Sequence, residues 1–400
     1  MNVQTPARPN ALEFDYKAAA RSILPRLART AANSVKMRML DDDAAAALKE
    51  SGLTRMLTPK NFGGFELSPS SNIWTCAELG NVCSSASWVL MVCLAHDYIV
   101  GRFPAECQQE VYDGDADNLL AGCLAPQGTV EKAPGGWRLN GRWQFGSGCD
   151  HSPWFILGAR VVNPAPDEAM VRHVMVPKLQ VELDDTWHTL GMRGTGSKDL
   201  VVKDAFIPEH RSMPTFQTFL GNTPHTSSPL YRLPVYAGLA SMLTGSVLGM
   251  AERGLKAFVE QTAGRKNAHG AVKAESTAMQ RRIAESAAEI TEARRLLDNI
   301  CHRFDAAMAA NATPMSERER IQFRWDAAYV AELCRRAMER MYASAGAHGI
   351  YEGSAVLDAY RDVNTACHHM VVDFDSVSEM QGRMILTGTL NENPRASPFA

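Results

Sequence analysis

The sequence predicts an α+β protein in three parts: an N-terminal helical domain over residues 1–118, a central β-barrel or sandwich over 119–225, and a C-terminal four-helix bundle over 226–400. Three observations carry that reading. Apolar residues recur at helical spacing through the first hundred residues and again from Tyr236 onward. Between them, over about 119–208, short β-branched or apolar runs are separated by glycine, proline and asparagine. The 46% hydrophobic content of 400 residues is ample for more than one core.

Taken in order, residues 15–32 form an alanine- and arginine-rich helix with Ile23, Leu24 and Leu27 on one face. Asp41-Asp42-Asp43 caps a second helix over 44–50. Phe62-Gly63-Gly64-Phe65 is a loop, and a long helical stretch follows over 69–100, with a break near Gly80 or Ser84-Ser85. Strands are expected at 119–124, 137–139, 142–145, 154–162, 173–177, 181–183 and 200–207, spaced for an antiparallel barrel or sandwich. Gly135-Gly136 and Asn140-Gly141 read as turns, the latter the strongest two-residue hairpin signal. Residues 208–234 read as a long connection.

In the bundle, glycines 238, 245, 249 and 254 of the first helix permit close helix contact. Met279, Ile283, Ile290, Leu297 and Phe304 stripe the second, which Thr313-Pro314 stops. The third, over 316–345, carries Glu332 and Arg336 as an i,i+4 pair. The last spans about 357–374 and holds both Asp362 and His369.

The bulk properties exclude several classes. A net charge of −3 and a pI near 6.4 give no pull toward nucleic acid or anionic membrane. No apolar run reaches bilayer length and residues 1–14 lack a signal core, so a cytoplasmic location is expected. Nine cysteines form no C-x-x-C pair and no Cys/His set has ligand spacing, so neither a disulfide framework nor a metal is expected.

The stretch most suggestive of chemistry is Trp143-Gln-Phe-Gly-Ser-Gly-Cys-Asp-His151-Ser-Pro-Trp154. Glycines on both sides of Ser147 let backbone and hydroxyl approach a flat ligand, although a plain β-bulge has the same grammar. Together with the domain order, Gly191-Met-Arg-Gly-Thr-Gly-Ser197, Asp204-Ala-Phe-Ile-Pro208, Arg265 and Arg361-Asp362, it resembles the acyl-CoA dehydrogenase fold over nearly the whole chain. Two departures separate the chain from true dehydrogenases. Leu124-Ala-Pro-Gln-Gly-Thr129 stands where they carry a threonine-glutamate-proline loop, and no glutamate in a glycine-threonine context lies near the C-terminal helices. Both departures, and the S-G-x-D-H motif followed by tryptophan, resemble the oxygenase components of two-component flavin monooxygenases. That group hydroxylates 4-hydroxyphenylacetate, seco-steroid phenols and indoles.

The resemblance implies reduced FMN or FAD, delivered by a separate NAD(P)H-dependent flavin reductase, and O2 as co-substrate. In the group oxygen adds to the flavin as a C4a-hydroperoxide and is passed to a small aromatic substrate. It implies that Ser147 holds the flavin N5, and that His96 and His369 orient or deprotonate the substrate, with His368 the neighbouring competitor. Trp88 is implied as a substrate contact, with Trp154 a further candidate; Gln127, Phe145, Arg193, Ser197 and Arg265 are implied as flavin contacts. Arg265 would reach flavin phosphates, often across a subunit boundary in a homotetramer; guanidinium matches phosphate bidentately. His151 is expected to brace the hairpin. The chain has no G-x-G-x-x-G after a strand and no Walker loop, which fits a reductase partner. Two other readings stay open: an acyl-CoA dehydrogenase with bound FAD, and a non-catalytic flavin-binding or scaffold member of the fold.

Overall fold

The computed structural model describes residues 14–216, 221, 225, 227–266, 269–311 and 315–390. Five helices come first: α1 (Tyr16–Met37), α2 (Asp42–Glu50), α3 (Pro69–Gly80), α4 (Ser84–Val100) and α5 (Ala105–Tyr112). Their ends follow local chemistry. Asp15 accepts from Ala18 N at the start of α1, Asp41 from Asp43 N at α2, and Ser68 with Pro69 opens α3. The break in the long helical stretch falls at residues 81–83, as the composition suggests.

The β domain is one seven-stranded sheet: β1 (Ala121–Ala133), β2 (Gly136–Gly146), β3 (Trp154–Val161), β4 (Val171–Pro177), β5 (Glu182–Asp184), β6 (Lys198–Pro208) and β7 (Ser212–Pro214). The order is β5-β6-β2-β1-β3-β4-β7, and β1 pairs parallel to β3, so the sheet is mixed where an antiparallel one was expected. Its core is built on Trp137, Leu139, Trp143, Phe155, Leu157, Val174 and Leu200.

Asn140-Gly141 is not a turn. β2 runs straight through it, and the chain reverses instead at residues 134–135, where Gly135 has φ 80°. The hairpin signal is overridden by cross-strand contacts. Asn140 Oδ1 accepts from Asp204 N at 2.7 Å, where β6 bulges with φ 49° at Asp204. A Cβ on Gly141 would stand 2.6 Å from Gly128 Cα, so the glycine serves close strand packing.

The bundle consists of α6 (Val235–Ala263), α7 (Thr277–Ala309), α8 (Glu317–Ala345), α9 (Ala355–Cys367) and a further helix, α10 (Phe374–Thr387). The expected last helix over 357–374 therefore ends early, and α10 begins only where that helix was expected to stop. α9 ends at Cys367, and Asp373 starts α10 by accepting from Ser376 N at 2.9 Å. His369 consequently lies in the connection, not on a shared helix face with Asp362. Glu332 and Arg336 also do not pair with each other. Glu332 meets Arg335 at 2.8 Å, while Arg336 reaches across to Glu289 of α7 at 2.8 Å. Thr313-Pro314 and much of the 208–234 connection include residues outside the described ones, but residues 209–214 hold a short helical turn and β7. No described helix is long and apolar enough to cross a membrane.

Helix α6 is buried at every position from Val235 to Ala251 because it lies between α3 and α4 on one side and α8 and α9 on the other. The approach to α3 is set by glycine: a Cβ on Gly245 would sit 2.4 Å from Ile73 O, and one on Gly249 2.1 Å from Ala77 O. The N-terminal helices and the bundle consequently share one continuous apolar core. Gly249→Val should lower stability by about 1–3 kcal/mol through overpacking. Urea unfolding checks this; an unchanged midpoint would show that α3 and α6 can separate freely.

Candidate active site

A cavity of about 520 Å³ opens where α4, the β1–β2 end of the sheet, α6 and the α9–α10 connection meet. Its wall is apolar and aromatic, from Trp88, Met91, Leu124, Phe145, Trp187, Tyr236, Leu239 and Leu243. Polar groups are few: Gln127, Gln144, Ser147, Thr195, Ser197, Thr365, His96, His368 and His369. None of these lining residues is an aspartate or a glutamate. The size and makeup match a small-molecule site.

Ser147 stands at the end of β2 and is almost covered, with 8% of its surface exposed. The glycine after it is required: Gly148 has φ 73°, and a Cβ there would press on Val89 at 2.9 Å. Gly148 N donates to Thr195 O at 2.8 Å, tying the Ser147 turn to the 191–197 loop. Trp88 Nε1 donates to Ser147 Oγ at 3.1 Å, and Ser147 Oγ lies 2.7 Å from Ser197 Oγ. His151 Nε2 donates to Leu40 O at 2.7 Å, so this histidine braces the turn against the α1–α2 connection and stays out of the cavity.

His96 and His369 both line the cavity, and their partners assign them opposite tautomers. His96 Nδ1 lies 3.0 Å from Leu120 O, which only accepts, so Nδ1 carries the proton and Nε2 keeps a lone pair. Burial lowers the His96 pKa to about 4, so the ring is neutral at pH 7. His369 Nδ1 accepts from Val371 N at 3.3 Å, which leaves its proton on Nε2 as a donor. Its ring is open to the cavity yet lies deep among protein atoms, and the resulting desolvation lowers its pKa to about 4. Trp88 meets it edge-on, ring centroids 6.0 Å apart. His368 also lines the cavity, but its Nδ1 donates to Asn364 O at 2.7 Å at the end of α9.

The His96 tautomer has a thermodynamic consequence. Below the unfolded value of 6.5 the unfolded chain takes up a proton that the folded chain refuses until about pH 4. Stability from this site is thus present above pH 6.5 and lost as pH falls toward 4, at a limit of about 1.4 kcal/mol per pH unit. The stability deficit of His96→Gln should therefore narrow between pH 7.5 and pH 5 in urea titrations. A deficit that widens on acidification would mean that His96 is charged in the native state.

Comparison with known proteins agrees with this geometry. Family models for the acyl-CoA dehydrogenase N-terminal and C-terminal domains match residues 16–112 and 241–374. The oxygenase component of an FADH2-dependent resorcinol hydroxylase from Rhizobium sp. is 32% identical over 354 residues, covering 85% of this chain and 86% of that one. The chain belongs to the oxygenase components of two-component flavin-dependent monooxygenases. Solved structures agree. The 3-HSA hydroxylase of Rhodococcus sp. RHA1 superposes with a TM-score of 0.88 at 25% identity, covering 96% of this chain and all of that one. XiaF from Streptomyces sp., in complex with FADH2 and glycerol, gives 0.86 at 26% identity, covering 96% and 97%.

The residues present in this oxygenase fit a flavin ring. A flat cofactor with one edge of nitrogen and oxygen atoms needs apolar faces and a hydroxyl at its edge, and the Phe145–Trp187 pair, 5.2 Å between centroids, with Ser147 supplies both. Of the residues singled out from the sequence, Trp88, His96, Gln127, Phe145, Ser147, Ser197 and His369 converge on the cavity. Gln127 is committed elsewhere in part: its amide donates to Gln144 O at 3.0 Å and accepts from Gln144 N at 2.7 Å, bracing β2 just before Phe145. Arg193 is exposed on the 193–195 turn and Arg265 half-exposed beyond α6, and neither lines the cavity of its own chain. Trp154 lies outside it too, under the Arg211 guanidinium at 5.0 Å.

Trp187, Thr195 and Tyr236 are cavity residues that sequence reasoning passed over. Thr195 sits inside the quoted glycine-rich motif, where its spacing of two from Ser197 was the available signal. Trp187 and Tyr236 gave none, since a lone aromatic is more often core. His173 was also missed. It is fully buried on β4 near Leu124 and His96, and burial lowers its pKa to about 3.

Proposed function

We propose that this oxygenase hydroxylates a small aromatic compound, phenolic or indolic, using O2 and reduced FMN or FAD that an NAD(P)H-dependent reductase supplies. The observation that carries the reading is the pair of neutral histidines of opposite tautomer in a cavity whose described lining holds no carboxylate. A phenol or indole N–H or O–H donates to His96 Nε2, and the hydrogen bond to that lone pair enriches the ring in electrons. His369 Nε2–H donates to an oxygen opposite. Reduced flavin, when bound, activates O2 for transfer. Ser147 accepts a hydrogen bond at the flavin N5, and Trp88, Phe145 and Trp187 keep water from the transfer. A substrate of this class agrees with the resorcinol named for the Rhizobium relative.

Arg193 and Arg265 are assigned to the flavin phosphates. Arg265 stands off its own cavity, and in a cytoplasmic homotetramer it would serve a neighbouring copy. Dehydrogenation of an acyl thioester lacks support, because its α-proton needs a base and, among the described residues, no carboxylate lines the cavity.

Product analysis with a panel of phenols and indoles, supplied with NADH and any NADH-dependent flavin reductase, tests the proposal. Products one oxygen heavier are expected for at least one member. Peroxide alone across the panel would overturn the substrate class.

A further inference from the structure

Four side chains of the cavity wall form an unbranched chain of hydrogen bonds. Trp88 Nε1 donates to Ser147 Oγ at 3.1 Å; Ser147 Oγ is 2.7 Å from Ser197 Oγ; Ser197 Oγ is 2.6 Å from Thr195 Oγ1; and Thr195 Oγ1 lies 2.8 Å from Met192 O. The direction of every bond follows from its two ends. A carbonyl only accepts and an indole N–H only donates. Thr195 must therefore spend its single proton on Met192 O, so Ser197 must give its proton to Thr195. Ser147 must then give its own to Ser197. No hydroxyl proton is left over: each of the three hydroxyls keeps only one spare lone pair, and that of Ser147 Oγ lies at the cavity wall.

The far end is held firmly. Met192 N donates to Asp362 Oδ1 at 2.8 Å, and Arg253 pairs with Asp362 Oδ2 at 3.2 Å, so α6 and α9 both fix the loop that supplies the terminal carbonyl. Trp187 Nε1 donates to the same carbonyl at 3.0 Å. Ser197 and Thr195 are 2% and 0% exposed, which keeps bulk water from reversing the order.

We propose that Ser197 and Thr195 are positioning residues that leave Ser147 an acceptor and never a donor toward the cavity, so that the site selects reduced flavin over oxidised flavin. Reduced flavin carries a hydrogen on N5 and can donate to that lone pair. Oxidised flavin has only a lone pair at N5, and two acceptors then face each other. The selectivity rests on the assignment of Ser147 to the flavin N5 made above. It gives the hydroxylase a way to release spent cofactor and take up the reduced form without any contact to the phosphates.

The test compares dissociation constants for oxidised and pre-reduced FMN and FAD under anaerobic conditions, by fluorescence quenching or calorimetry. Thr195→Val keeps the shape but removes the group that receives the Ser197 proton, so Ser197 is free to donate to Ser147 and turn the Ser147 proton into the cavity. The preference for reduced flavin should fall about tenfold, the worth of one hydrogen bond, chiefly through tighter oxidised binding. Thr195→Ser restores the chain and should restore the preference. A purely structural role for Thr195 would weaken both forms together and leave the ratio unchanged; that result would overturn the proposal. Ser197→Ala, which frees the Ser147 proton directly, gives the same expectation if the valine variant does not fold. Ser147→Ala separates the two levels. If it leaves both affinities unchanged, Ser147 is not at the flavin and the underlying reading fails. If it moves the ratio while the Thr195 and Ser197 variants do not, the direction-setting chain alone fails.

Discussion

Ser147→Ala is expected to convert the enzyme from hydroxylation to peroxide production, with product per reduced flavin falling by about tenfold or more. The side chain is small and almost covered, and it hangs from a turn held by Gly148 N–Thr195 O, so its removal leaves the fold in place. What disappears is the single hydroxyl oxygen that Trp88 and Ser197 orient toward the cavity. With Ser147 assigned to the flavin N5 as proposed, the N5 hydrogen of bound reduced flavin would then have no acceptor, and oxygen would be lost as peroxide before transfer. Product and peroxide, quantified per flavin in one reaction, decide the matter. Coupling equal to wild type would remove Ser147 from the chemistry and return it to the role of a turn residue.

His96→Ala should lower hydroxylation by about tenfold, the worth of one hydrogen bond to the reacting phenol, while flavin affinity stays within a few-fold. The pH profile distinguishes this from lost packing. In the wild type the His96 ring stays neutral above about pH 4, so phenol activation by this group should be flat from pH 5.5 to 8. In the variant the reactive phenolate must come from solution. Its residual rate should climb toward tenfold per pH unit, because a free phenol ionises only near pH ~10. A variant profile parallel to that of the wild type would show that His96 shapes the pocket without activating the phenol.

Much of the architecture was legible in the sequence because periodicity reports burial. The helical stripes of α1, α4, α6 and α7 and the composition change near residue 119 marked the three parts, and glycines 245 and 249 marked a close helix contact, whose partner α3 only the structure identifies. The failures share a cause. Asn140-Gly141 has the local grammar of a turn, but its partners lie across the sheet at Gly128 and Asp204, where sequence proximity gives no hint. The last expected helix ran on to residue 374 because the composition stays broadly helical past Cys367, and α10 beyond it was not expected; the Asp373-x-x-Ser376 cap was the local signal for its start.

At the site, motif resemblance located Ser147, His96 and His369 one by one. Their division of labour was not legible, since it depends on Leu120 O beside one imidazole and Val371 N beside the other.

The most direct test of oxygen transfer is a single turnover with pre-reduced flavin, no reductase and no NADH, started by isotope-labelled O2 in the presence of a phenol that the enzyme accepts. One labelled oxygen in the hydroxylated product, with little peroxide in the wild type and mostly peroxide in Ser147→Ala, is the expected result. Unlabelled product, or peroxide as the sole fate of oxygen in the wild type, would contradict it.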